Sequence, residues 1–191
     1  MDRSGIERRE FLRRAGAGSV GLAGLPVLAE AAWADDERGR KRRRFYFQAV
    51  SGQAATISGG ESIIMSGCGS FSKRSVHGGG EFVHFDGTKI PSPDFIATGS
   101  WRATRVLSFE QIGTWGVGVA GVLAMRIKLL PCDAPVIRGA TLEIVCNIGP
   151  AGLVTDPFQQ EGFTLTVPGL APFRPFTPNL GLTFFTRPCP D

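Results

Sequence analysis

The sequence predicts an all-β domain, a single antiparallel β-barrel or β-sandwich of about eight strands. Three observations carry this. In the longest patterned runs, apolar residues recur at every second position, the period of a strand with one buried face. The 26 glycines and 13 prolines divide the chain into short runs, as turns between strands require. After residue 44 no stretch shows the 3.6-residue spacing of an amphipathic helix.

The chain begins with Glu7-Arg8-Arg9-Glu10-Phe11-Leu12-Arg13, a weakly apolar Gly- and Ala-rich stretch from Ala15 to Ala29, and Ala32-Trp33-Ala34 ahead of Asp35. Basic, apolar and small-x-small regions in that order make a cleavable signal peptide, here residues 1–34, cut between Ala34 and Asp35. Arg8 and Arg9 followed by Phe11 and Leu12 resemble the twin-arginine (Tat) export signal, although Glu7 stands where that family prefers Ser or Thr. The resemblance implies recognition by the Tat translocase, folding before export, and a secreted or periplasmic protein. Five glycines or prolines interrupt Ala15 to Ala29, so the stretch falls short of the ~20 apolar residues of a permanent membrane span.

Residues 35–44, DDERGRKRRR, read as a charged linker with six basic and three acidic side chains. Such a run could grip nucleic acid or anionic lipid. A solvated linker is the simpler reading, since runs of like charge stay disordered. Residues 45–191 form the expected β domain and hold ten Lys or Arg against ten Asp or Glu. The sequence therefore places the basic excess in the tails rather than on a binding face, and no nucleic-acid partner is expected.

Strands are expected at Phe45–Val50, Ser62–Phe71, Val76–Phe85, Phe95–Phe109, Val117–Leu130, Ala140–Ile148, Phe163–Val167 and Leu180–Phe185. In the fifth, Val117, Val119, Gly121, Leu123, Met125, Ile127 and Leu129 share one parity while Arg126 and Lys128 take the other. In the sixth, Leu142, Ile144, Cys146 and Ile148 point inward against Glu143 and Asn147. Pro131 to Gly139 joins these two as a hairpin. A barrel is favoured over a sandwich because closure removes the edges that such apolar strands would expose.

The stretch SVHGGGEFVHF, Ser75 to Phe85, contains both histidines, His77 and His84. A hairpin turning near Lys73-Arg74 sets Gly67-Cys68-Gly69 opposite Gly78-Gly79-Gly80. The odd spacing puts the two imidazoles on opposite faces, roughly 23 Å apart along a strand, so they cannot share a metal. Two facing glycine runs leave a patch without side chains, either the seat of a tryptophan (Trp101 or Trp115) or the floor of a flat ligand site.

Other motifs lead nowhere chemical. Gly116-Val117-Gly118-Val119-Ala120-Gly121 matches GxGxxG, but it lies inside an alternating strand rather than before a helix. Gly99-Ser100-Trp101 resembles the G-x-W of lipocalins, yet it lies in mid-chain rather than near the start. There is no G-x-S-x-G, C-x-x-C or H-E-x-x-H, and the acids Glu81, Asp86, Asp94, Glu110, Glu143, Asp156 and Glu161 are dispersed. No catalytic, cofactor-binding or metal-ligating residue is assigned, and no cofactor is expected.

Four cysteines in an exported chain suggest two disulfides with three pairings. The hairpin register disfavours Cys132 with Cys146, which leaves two of the three pairings. The expected one is Cys132–Cys189, tying down the Pro-rich tail, with Cys68–Cys146. The alternative is that some thiols stay free, since Tat substrates fold in a reducing cytosol. In PFRPFTP, Pro172 to Pro178, prolines recur every third residue, so polyproline geometry lines up Phe173 and Phe176 as a candidate binding strip. Alternatively, the two rings plug the domain's own core.

The succession of a G-x-G-x-F strand (Gly67 to Phe71), a glycine-rich hairpin, G-x-W and L-x-I-x-C (Leu142 to Cys146) resembles uncharacterised exported bacterial β-proteins. That resemblance implies fold and address. The expected role is non-catalytic: binding at the cell exterior, with a small apolar ligand or an envelope component as partner, or supporting the envelope. The alternative is a small-molecule barrel of the dirigent or allene-oxide-cyclase kind, with an apolar cavity.

Overall fold

Alternation becomes strand at all eight expected places in the computed structural model, which describes residues 42–148 and 160–187. The signal residues Arg8, Arg9, Phe11 and Leu12, the cleavage pair Ala34 and Asp35, most of the charged linker, and Cys189 lie outside the described residues. The strands are β1 (Arg43–Gly52), β2 (Glu61–Phe71), β3 (Val76–Asp86), β4 (Asp94–Trp115), β5 (Gly118–Pro131), β6 (Ile137–Cys146), β7 (Gly162–Thr166) and β8 (Arg174–Thr186). They form one antiparallel sheet in the order β4-β3-β2-β1-β8-β5-β6-β7, and β4 also pairs with β5.

The inner face follows the predicted parity. Leu123, Met125, Ile127 and Leu129 of β5 and Leu142, Ile144 and Cys146 of β6 are buried. Val117, expected inward, is 73% exposed. The reason is local: Trp115 pairs with Gly118, so Gly116 and Val117 form a two-residue turn. Gly116 has φ 59°, the positive value that such tight hairpin turns demand.

Two strands run longer than their periodicity announces. β4 continues to Trp115 through register shifts at Ala103/Arg105, Val106/Ser108 and Gln111/Gly113. Each shift adds a residue and breaks the period of two, so the pattern fades while the pairing goes on. β8 begins at Arg174, inside the proline-rich segment. Arg174 and Pro175 oppose Gly52 and Ser51, and the ladder resumes only at Leu180 opposite Val50.

The interior is built of aromatic rings. Trp101 lies 6.5 Å from Phe45 and 5.8 Å from Phe47, and Phe47 lies 5.7 Å from Phe163. Phe71 continues the chain, 6.4 Å from Phe45, 4.8 Å from Phe109 and 6.1 Å from Phe185. These are the centroid separations of packed rings, and they join side chains of β1, β2, β4, β7 and β8.

Antiparallel order gathers four loops at one end, those of β1–β2, β3–β4, β5–β6 and β7–β8. They lie against one another. Gly87 N donates to Gly60 O (3.0 Å), Gln53 Nε2 to Ala171 O (3.1 Å), and Cys132 N to Thr98 O (2.8 Å). A Cβ on Gly139 would lie 3.9 Å from Pro168 Cγ.

Candidate functional site

The glycine patch forms as the sequence predicts, with Gly67 opposite Gly80, Cys68 opposite Gly79 and Gly69 opposite Gly78. Its occupants come from the protein. A Cβ on Gly67 would lie 2.2 Å from Trp101 Cζ2, and one on Gly69 or Gly78 would lie 2.8 or 2.7 Å from the Phe45 ring. The Trp101 indole N–H donates to Ser66 O at 2.9 Å. The bare backbone is thus the seat of two buried rings, and a flat ligand has no floor there. Trp115, the other candidate lid, is exposed beside the β4–β5 turn.

The two histidines occupy opposite faces. His77 is exposed on the outer face. His84 points inward at the looped end, its Nε2 3.0 Å from Glu61 Oε2, with the Phe173 ring edge-on at 5.2 Å. A carboxylate on an imidazole fixes the ring's orientation and can relay a proton. Here Phe173 lies against that ring, so the pair also packs the end of the core. Glu61 was not among the acids singled out in the sequence. Its signal is the hairpin register: Ile63 opposes His84, which makes Glu61 a diagonal neighbour on the same face.

Phe173 and Phe176 are 1% and 4% exposed. Phe173 is held by a two-way bridge to Leu165 (3.0 and 2.9 Å). The expected binding strip is therefore corrected: both rings are spent on the core, because the proline segment joins the sheet instead of running free.

The thiols correct a second expectation. No disulfide joins Cys68, Cys132 or Cys146. Cys68 pairs with Tyr46 on the outer face, whereas Cys146, opposite Gly121, is fully buried on the inner one, so the sheet lies between them. The expected Cys132–Cys189 bridge involves Cys189, which lies outside the described residues.

Burial pushes the Cys146 thiol up from 9.0 to about 11, with the nearby Glu161 carboxylate acting in the same direction, and burial also raises Cys68. The half-buried Glu161 Oε1 accepts from the buried Thr183 hydroxyl at 3.0 Å and from Thr183 N at 3.3 Å. Two outcomes are expected. In the native protein at pH 8, maleimide labels exposed Cys132 within minutes, while Cys146 reacts only in denaturant. Stability also falls as pH rises from about 9 towards 11, because the unfolded thiol ionises first and then binds fewer protons than the folded one. A Cys146→Ala chain should lose that part of the slope, which alkaline thermal melts would check.

Among the described residues no three His, Cys, Asp or Glu side chains come together as metal ligands would. No helix among them is long and apolar enough to cross a membrane. Compared with protein-family models, curated proteins and solved structures, the chain matches none of them.

Proposed function

We propose that this is an exported β-barrel protein that binds an envelope component through its outer surface and carries out no chemistry in an interior cavity. The observation that carries this is the unbroken chain of aromatic contacts from Trp101 through Phe45, Phe71 and Phe109 to Phe185. Rings that touch across the inner faces occupy space that the pocket of ~300 Å³ or more of a carrier or cyclase would need, which favours the filled interior.

Closure of the sheet is supported by its pairings. Passing from β4 through β3, β2, β1, β8 and β5 returns to β4. The register shifts of β4 are the bends that closure of a sheet calls for. The address is supported by Arg8-Arg9 with Phe11-Leu12 and by the small-x-small site before Asp35.

The cyclase-like alternative draws on one observation, the His84–Glu61 pair at the looped end. A lipophilic fluorescent probe separates the two readings. A filled interior takes up no probe and leaves tryptophan emission unchanged. Saturable one-to-one uptake that quenches emission in the native chain, but not in Trp101→Phe, would establish a cavity and overturn the proposal.

A further inference from the structure

The charge balance of the domain hides a segregation. On the outer face of β4 and β5, Arg102 lies directly opposite Lys128, and Arg105 directly opposite Arg126. Arg138, the second residue of β6, extends the group. Half of the ten basic residues after Arg44 thus lie on one wall, although the sequence placed the basic excess in the tails. Like charges directly opposite each other destabilise a sheet. Among the described residues, the structure shows no carboxylate partner for Arg102, Arg105, Lys128 or Arg138. Arg126 is turned onto Gly139 O at 2.6 Å, towards Arg138.

The looped end beside this wall carries exposed aliphatic side chains: Ile90 in the β3–β4 loop, Ile96 at the start of β4, Val136 in the β5–β6 loop and Leu170 in the β7–β8 loop. Most acids at this end are answered within it. Lys89 pairs with Asp94 and Asp86, Asp86 also accepts from Thr88, and Glu61 pairs with His84. Among the described residues Asp133 is unpaired there, and two further exposed acids flank the five cations on the outer face, Glu81 diagonal to Arg102 and Glu143 diagonal to Arg126.

We propose that this end docks on an anionic bilayer, with the aliphatic loop tips entering the headgroup layer and the wall of Arg102, Arg105, Arg126, Lys128 and Arg138 facing lipid phosphates. Geometry joins the two parts. Arg138 adjoins the loop of Val136, and Lys128 lies three residues, about 10 Å, from the end of β5. Arg105 and Arg126 lie roughly 7 Å further along the strand, about 17 Å from its end, so a barrel tilted with this wall towards the surface brings them within the ~8–10 Å over which charge acts at physiological salt. Aliphatic tips distinguish a bilayer from nucleic acid, since they add apolar burial that a phosphate backbone cannot accept. The proposal rests on the surface-binding reading and names the component bound.

Flotation with vesicles tests it, using the full chain throughout so that the basic linker is constant. The chain is expected to float with phosphatidylcholine vesicles containing 30 mol% phosphatidylglycerol (an assay choice of roughly physiological anionic content) and to remain behind with pure phosphatidylcholine. Removing a cation near an anionic surface costs about fivefold in affinity. The variant Arg102→Gln/Lys128→Gln/Arg138→Gln should therefore bind roughly hundredfold more weakly, and Ile90→Ser/Val136→Ser should weaken binding while leaving the charge unchanged. All five positions are exposed or half-buried, and unchanged melting curves would show that the variants fold. Undiminished flotation of the triple variant, equal binding to neutral vesicles, or a duplex-DNA affinity that responds to the triple variant but not to the aliphatic one would overturn the proposal. Such a failure leaves the filled-barrel reading intact, whereas probe uptake by the interior would sink that reading whatever the vesicles do.

Discussion

Replacing Trp101 with alanine should lower the melting temperature by roughly 10 °C, the largest effect expected of any single substitution in the domain. Removing a fully buried indole costs about 3–5 kcal/mol, and for a chain of this size each kcal/mol shifts the transition by about 2–4 °C. The site cannot collapse to recover the loss. Beneath the ring, Gly67 has no side chain to move into the space, and a Cβ on Gly80 would meet Ser66 O at 1.9 Å, so the β2–β3 backbone is already in close contact. Trp101→Phe should recover part of the loss, keeping a ring near Phe45 and Phe47 but losing the indole bond to Ser66 O, a change of about 1 kcal/mol. Gly67→Ala should also destabilise the native chain, because its Cβ would lie 2.2 Å from the indole. In a Trp101→Ala background it should cost measurably less, a coupling that a double-mutant cycle reads directly. A Trp101→Ala melt within about 3 °C of the native one would refute this account of the glycine patch.

Converting Arg8 and Arg9 to lysine should abolish export altogether. The charge at the amino terminus would be unchanged, so an ordinary signal peptide would continue to work, while a receptor that reads paired arginines would not. Fractionation of a host with a twin-arginine translocase should find all of the double-lysine chain inside as uncleaved precursor. Continued export of that variant, arrested by inhibiting the general secretory pathway, would assign the segment to the other route. The two experiments are linked. The Tat resemblance implies folding before passage, so Trp101→Ala should also be exported in lower yield.

Much of the fold can be read directly from residue order. Period two in Val119 to Leu129 and Ala140 to Cys146 reports which side chains face inward, because the pleat itself alternates. A short polar turn at Ser72–Ser75 sets the pairing of Gly67 with Gly80, because register across a tight hairpin is fixed by its turn. The odd spacing of His77 and His84 separates them for the same reason. All of these are properties of neighbours along the chain.

What the sequence left undecided belongs to neighbours across the sheet. Which tryptophan covers the glycines depends on β4 lying beside β3 with Trp101 opposite Gly80. That Cys68 and Cys146 cannot meet depends on the sheet standing between them. The burial of Phe173 and Phe176 depends on a proline-rich segment joining the ladder beside β1, against its own local geometry. The basic wall is clearest of all: residues 45–191 sum to no net charge, yet the pairing of β4 with β5 brings Arg102 to Lys128 and Arg105 to Arg126. A sum over residues carries no positions, and only lateral pairing turns scattered charges into a surface.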